Sequence, residues 1–134
     1  KSLDISQSSL NYEILDSGLF NGLVNLERLN MFHCGLKRLP AGLFSPLVRL
    51  QVLDLKCNKN LIIRDKTFKA LKNLKVLKID ITEFVSLRVL YSLKSLEQLI
   101  LNYASEKLIE NIKEKFPNIE IRHDYIQSLF THIF

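Results

Sequence analysis

Residues 26–36 read Leu-Glu-Arg-Leu-Asn-Met-Phe-His-Cys-Gly-Leu, and this spacing of apolar side chains returns along most of the chain. It recurs at 50–58 as Leu-Gln-Val-Leu-Asp-Leu-Lys-Cys-Asn, again from Leu74 and Leu96, and in partial form at 3–10 and 116–126. Copies that start at 26, 50, 74, 96 and 116 lie 24, 24, 22 and 20 residues apart. A repeat of this length predicts a solenoid, in which each turn buries its apolar face only against its neighbours.

Each copy has two halves with different periodicity. The first half alternates apolar and polar residues, as in Leu29-Asn-Met31, and this alternation predicts a half-buried strand. In the second half, Phe20, Phe44 and Phe68 each begin a Phe-x-x-Leu-x-x-Leu run, whose three-residue spacing fits a 3-10-like return segment. We therefore expect one parallel sheet, return segments that are 3-10, α-helical or irregular, and the phenylalanines stacked in one buried column.

The pattern Leu-x-x-Leu-x-Leu-x-x-Asn/Cys-x-Leu resembles the leucine-rich repeat signature. Residues 36–47, Leu-Lys-Arg-Leu-Pro-Ala-Gly-Leu-Phe-Ser-Pro-Leu, resemble the 24-residue class of Toll-like receptors, lamprey variable lymphocyte receptors and insect immune proteins. The resemblance implies an α/β leucine-rich repeat solenoid, a horseshoe segment whose parallel sheet lines the concave side. It also implies a non-enzymatic module that recognises a protein or other ligand, as part of an extracellular receptor, a cell-surface protein or a secreted innate-immune protein.

Composition fits a single folded domain over 1–134, with a partial first repeat at 1–25. Of the 134 residues, 47% are hydrophobic and 25% are charged, which excludes intrinsic disorder. Apolar runs are too short for a transmembrane segment. Two cysteines exclude a four-cysteine zinc site, and neither His-Glu-x-x-His nor Gly-x-Ser-x-Gly occurs. We therefore expect no catalytic residue, no metal and no cofactor.

The chain departs from extracellular relatives in three respects. It lacks cysteine-rich caps, it has no Asn-x-Ser/Thr sequon, and its repeats shorten after Leu74. These departures indicate a fragment of a longer ectodomain, or a chain whose ends are covered by a partner. We expect the apolar tail at 125–134 to form an improvised cap, and uncapped ends would allow homo-association. The same departures leave open an alternative, a cytoplasmic scaffold or adaptor for protein–protein interaction.

The Asn/Cys position of each repeat is expected to point inward and to satisfy backbone groups of adjacent turns. The residues at this ladder position are Ser8, Cys34, Asn58, Thr82, Ala104 and Asp124. Cys57 lies one position earlier in its repeat, so its side chain should point outward. A disulfide between Cys34 and Cys57 is therefore not expected.

Residues between the inward leucines should form four exposed columns on the concave side. The columns are Ser2, Arg28, Val52, Val76, Gln98 and Asn118; Asp4, Asn30, Asp54, Lys78, Ile100 and Glu120; Ser6, Phe32, Lys56, Asp80, Asn102 and Arg122; and Gln7, His33, Cys57, Ile81, Tyr103 and His123. Aromatic anchors with a charged surround favour protein recognition. The candidate binding residues are Arg28, Asn30, Phe32, His33, Asp54, Lys56, Lys78, Asp80, Asn102 and Tyr103.

A basic run from Arg64 to Lys78 places a cation at nearly every third residue. Its spacing puts most of these lysines on the outside of a return segment. They could attract an acidic partner, a heparin-like glycan or nucleic acid, or they could simply keep the solenoid solvated. The one aromatic residue in this run, Phe68, belongs to the expected buried column, so no aromatic interleaving supports base stacking and we do not expect nucleic acid as a partner.

Overall fold

The computed structural model describes residues 1–10, 15–82 and 85–123. Its six short strands are β1 Ser2–Asp4, β2 Arg28–Asn30, β3 Val52–Asp54, β4 Val76–Ile79, β5 Gln98–Leu101 and β6 Glu120–His123. They form one parallel sheet in the order β1-β2-β3-β4-β5-β6. The predicted solenoid with one parallel sheet is therefore confirmed. The expected ladder residue Asp124 and the expected cap at 125–134 lie outside the described residues.

The leucines at matched offsets place the strands in register. Leu3, Leu29, Leu53 and Leu77 are paired across β1 to β4, and Leu77 pairs with Leu99 in β5. From Leu29 to Leu99 these side chains are essentially inaccessible to solvent. Because each turn contributes one leucine to the shared core, burial on one turn depends on the presence of the next.

The predicted phenylalanine column is present behind the sheet. The Phe20 and Phe44 rings are stacked with centroids 6.3 Å apart, and Phe44 and Phe68 follow at 6.2 Å. All three side chains are buried. In the next repeat Leu90 takes this place, in the 3-10 helix Leu87–Leu90, which begins after Ser86. The column thus holds the return segments of three consecutive repeats together.

A series of side-chain hydrogen bonds joins successive turns where the chain approaches the strands. Arg49 donates to the Asn25 carboxamide, Asn73 to the Val48 carbonyl and Ser95 to the Lys72 carbonyl, each at 2.7 Å. These bonds lie at exposed positions. They recur at the repeat spacing without a shared residue type, so sequence periodicity gave no sign of them.

The last return segment is a regular helix, α1 Glu106–Lys115. The Ser105 hydroxyl caps its start by accepting the Leu108 N–H, and Pro117 follows its end. The sequence predicts that Ile119 and Ile121 occupy the positions of Leu99 and Leu101 in the preceding repeat, and this prediction is wrong by two residues. Ile121 pairs with Leu99, and Glu120 rather than Asn118 pairs with Gln98. An α-helix advances only about 1.5 Å per residue, so this return consumes more residues than an extended one.

Candidate functional site

The candidate site is the face of the sheet that points away from the core, called here the concave face. Arg28 pairs with Val52, and Asn30 pairs with Asp54, which pairs in turn with Lys78. Adjacent strands lie about 4.8 Å apart, so these outward side chains form a continuous row. Arg28 is exposed, whereas Asn30, Asp54 and Lys78 are half-buried. The structure therefore brings these four predicted residues together on one surface.

Two of these residues, Asn30 and Asp54, also accept hydrogen bonds from the backbone. The Asn30 and Asp54 side-chain oxygens accept the N–H groups of Phe32 and Lys56, at 2.9 and 3.0 Å. Asp4 does the same for Ser6 at 2.9 Å, and hydrogen bonds from Ser6 lower the pKa of this exposed carboxyl. Each is an Asx turn, which bends the chain after the strand. Sequence reasoning missed this role, although Asp or Asn at that position was a usable signal.

The Asx turn also accounts for strand length. β1, β2 and β3 each end at the residue that accepts the bond. Lys78 and Ile100 cannot accept one, and there the strands continue a further residue, to Ile79 and Leu101. The face consequently differs between its first three strands and its later ones.

Beyond the strands, the chain turns through a left-handed residue. Gln7, His33, Cys57 and Tyr103 have φ of 59°, 52°, 61° and 55°. His33 and Tyr103 are exposed, Tyr103 at 53%, and the half-buried Phe32 ring meets the His33 ring edge-on with centroids 6.1 Å apart. Phe32, His33 and Tyr103 are thus accessible along this border of the concave face, as the sequence predicts.

The repeat that starts at Leu74 breaks the series at Ile81. This residue is β-branched and does not adopt the left-handed conformation, which would crowd its branched side chain. Its side chain is 2% exposed, whereas Thr82 is exposed. The sequence predictions that Ile81 faces outward and Thr82 inward are therefore both wrong.

Asp80 compensates for the changed turn at Ile81 by accepting a backbone hydrogen bond from the preceding repeat. In the two preceding turns, the N–H groups of Gln7 and His33 donate to the carbonyls of Phe32 and Lys56. The N–H of Cys57 instead donates to Asp80 Oδ2, at 3.0 Å. Asp80 is half-buried, and this burial raises the pKa of its carboxyl. Burial also raises the pKa of the Cys57 thiol, and the charge of Asp80 adds to that shift.

Asn102 is not on the surface. It is 1% exposed, and its Nδ2 lies 3.6 Å from Cys57 Sγ, so the prediction that it faces solvent is wrong. α1 begins at Glu106, four residues later, and Asn102 lines a cleft with Leu61, Ile81 and Leu108. Ile100, also expected outside, is buried. Its register partners on the two neighbouring strands are Lys78 and Arg122.

The ladder behaves as predicted at two positions. Asn58 Oδ1 accepts from the N–H groups of Cys34 and Leu36, and its Nδ2 donates to the carbonyls of Met31, Leu55 and Lys56. Cys34 is buried, and its thiol donates to the Ile5 carbonyl at 3.0 Å. Ser8, by contrast, is exposed. Ser8 follows β1, which is the edge strand of the described sheet, so the structure describes no carbonyl of a preceding turn beside it.

The described residues contain neither a metal-binding cluster nor a helix suited to cross a membrane. No group of three or more His, Cys, Asp and Glu side chains in 1–10, 15–82 and 85–123 could hold a metal ion. Within the same ranges, no helix has both the length and the apolar character needed to cross a bilayer.

The repeated strands, the buried ladder and the phenylalanine column define a leucine-rich repeat solenoid. A family model described as "Leucine rich repeat" matches residues 48–104. The leucine-rich repeat-containing protein 4B of mouse, rat and human is 40% identical over 65 residues, which are 48% of this chain and 9% of each relative. The chain superposes on a crystal structure of a TLR13–ssRNA13 complex with a TM-score of 0.64 and 19% identity, over 91% of this chain and 22% of that one. The chain therefore has the fold of leucine-rich repeat proteins, and its residues 48–104 are similar in sequence to that family.

Proposed function

We propose that the protein is a non-enzymatic recognition module, exposed outside the cell, that binds a protein partner through its concave face. The observation that carries this proposal is the accessible set of Phe32, His33 and Tyr103 beside a row of charged strand residues. Buried aromatic anchors with a polar surround are the usual energetic centres of protein interfaces. The parallel strands present these groups on a rigid support, which reduces the entropy lost on binding.

The electrostatics of the face favour a protein over a polyanion. Asp54 is paired between Asn30 and Lys78, and Asp80 lies beyond it, so carboxylates alternate with the cations Arg28, Lys56 and Lys78. A phosphate backbone would meet repulsion at the carboxylates. The TLR13 structure named above is a complex with single-stranded RNA, so RNA serves as a direct comparison in the test.

The site proposed for contact is narrower than the sequence suggests. It consists of Arg28, Phe32, His33, Lys56, Lys78 and Tyr103, together with the outer edges of Asn30 and Asp54. Asn102 is excluded by its burial, and Asp80 contributes by fixing the Cys57 backbone. An extracellular location rests on the repeat type alone.

The test measures binding of the intact chain to purified ectodomains, to cytosolic proteins and to a single-stranded RNA oligonucleotide. The variant Phe32→Ala/Tyr103→Ala should weaken binding to an ectodomain about tenfold or more. The control Leu19→Ala/Val48→Ala removes two exposed apolar side chains away from the sheet, and should leave affinity unchanged. Partners found only among cytosolic proteins would support the scaffold alternative. Binding to RNA alone, or equal affinity of both variants, would contradict the proposal.

A further inference from the structure

A second surface lies away from the concave face, between two neighbouring return segments. Residues 38–45 of one repeat and 62–72 of the next enclose a groove of about 740 Å³, called here the basic groove. Its floor is apolar and includes Leu39, Pro40 and Ile62. Ile62 is 52% exposed, so its side chain is available to contact an apolar group of a ligand.

The backbone beneath the groove is held in place. The Ile62 N–H donates to the Lys37 carbonyl at 2.9 Å, and Arg38 and Ile62 form an isolated parallel bridge outside the main sheet. On the opposite wall, the Thr67 hydroxyl accepts the Arg64 N–H at 3.0 Å and closes the turn that carries the basic residues. The two walls are therefore linked by hydrogen bonds before any ligand arrives.

The charge on the rim has one sign. Arg38, Arg64, Lys66, Lys69 and Lys72 line the groove, and no acidic residue does. All five side chains are exposed, and none forms an ion pair with a carboxylate in the described ranges. Such a concentration of unpaired cations around a concave wall raises the local concentration of anions.

We propose that the basic groove binds an acidic protein segment that inserts an aliphatic side chain over Ile62. The rim attracts carboxylates, and the apolar floor requires an apolar group on the same ligand, because burying Ile62 against a hydrated anion gains nothing. A sulfated glycan or a nucleic acid backbone would use the rim but leave the floor exposed. This surface shares no residue with the concave face, so the proposal stands or falls independently of the proposed function.

The test uses two short labelled peptides, one of Glu-Glu-Leu-Glu units and one of Glu-Glu-Ser-Glu units, and fluorescence anisotropy with the intact chain at low salt. The leucine peptide should bind several-fold more tightly than the serine peptide. Lys66→Glu/Lys69→Glu should weaken its binding about tenfold or more. Ile62→Ser should remove the difference between the two peptides while leaving the binding of the serine peptide unchanged.

The matched control is Lys94→Glu/Lys107→Glu, which makes the same charge change at exposed positions outside the groove and should have little effect. Amide chemical shifts near Ile62 should move when the leucine peptide is added. Equal binding of the two peptides, together with equal or tighter binding of a heparin oligosaccharide, would overturn the proposal in favour of a general polyanion surface. Equal affinities for the groove variant and the control, or no binding of the leucine peptide, would also overturn it.

Discussion

The carboxylate of Asp80 accepts the backbone N–H of Cys57 at 3.0 Å, so a side chain of one repeat completes the backbone pairing of the repeat before it. The neighbouring turns achieve the same pairing with a main-chain carbonyl. Because that carboxylate is half-buried, the pairing brings a charge into a poorly solvated position, and its cost depends on pH.

Asp80→Asn tests that cost. Burial raises the pKa of Asp80 in the folded state, so the folded protein binds the proton more tightly than the unfolded chain. The stabilisation from this group is therefore fully present below about pH 4, the ordinary pKa of an aspartic acid side chain. It is lost as the pH rises through the raised pKa of the folded state. Asparagine still offers an oxygen to Cys57 but does not titrate.

Urea unfolding at several pH values from acid to neutral should show Asp80→Asn gaining stability relative to the parent chain as pH rises. Asp54→Asn, a carboxyl with an equivalent backbone bond to Lys56, serves as the control. A difference between parent and Asp80→Asn that stays constant with pH would contradict the assignment.

Asn58 is expected to be the most sensitive polar residue of the described core. Its carboxamide makes hydrogen bonds to five backbone groups on two turns, and it is buried. Asn58→Ala leaves those groups unpaired and should lower the free energy of unfolding by about 2–4 kcal/mol. Asn73→Ala, which removes one exposed bond, should cost less than about 1 kcal/mol in the same urea titration. Similar costs for the two variants would count against the ladder.

Phe44 is the middle ring of the phenylalanine column and contacts a ring on each side. Phe44→Ala should destabilise the protein by about 3–5 kcal/mol, because the cavity opens between two packed return segments. Val48→Ala in the same return segment removes a side chain that is already half in solvent, and should change stability by about 0.5 kcal/mol or less. Thermal or urea unfolding followed by circular dichroism gives both values, and a small effect at Phe44 would show that the column is loosely packed.

The left-handed backbone at His33 predicts an unusual order of substitutions. With φ of 52°, His33→Val should cost about 1–3 kcal/mol, since a β-branched side chain fits this conformation poorly. His33→Gly should change stability by less than about 1 kcal/mol. Arg28→Val, at an exposed strand position where valine is favoured, is the control and should be nearly neutral. Equal costs at 28 and 33 would argue against the left-handed turn.

The leucine spacing was sufficient to predict the strands, the inward ladder at Cys34 and Asn58, and the stacking of Phe20, Phe44 and Phe68. It could not predict the register between β5 and β6. Ile119 and Ile121 both suit a buried position, and a shift of two residues keeps the inside–outside alternation intact. Only the length of α1 distinguishes the two registers, and helix length is not encoded in the strand pattern.

The errors at Ile81, Thr82 and Asn102 have a different origin. At Ile81 and Thr82 the geometry of the regular repeats was applied to a turn whose backbone conformation had changed, whereas Asn102 precedes a left-handed residue as in the regular repeats and is buried beside Cys57. The signal was present in the residue type, since isoleucine is a poor choice for the left-handed position that histidine, cysteine and tyrosine occupy elsewhere. The compensating hydrogen bond, which Asp80 accepts from the Cys57 N–H, joins two turns and could not be predicted from any single repeat.

The row of left-handed turns also limits how this surface can diversify. At His33, Cys57 and Tyr103, valine, isoleucine and threonine carry a conformational penalty, and Asn30 and Asp54 must keep a short acceptor to end their strands. Arg28 and Lys78 carry neither duty. Selection for a new partner therefore has a wide choice of amino acids at positions such as these, and the backbone conformation determines where specificity can change without loss of stability.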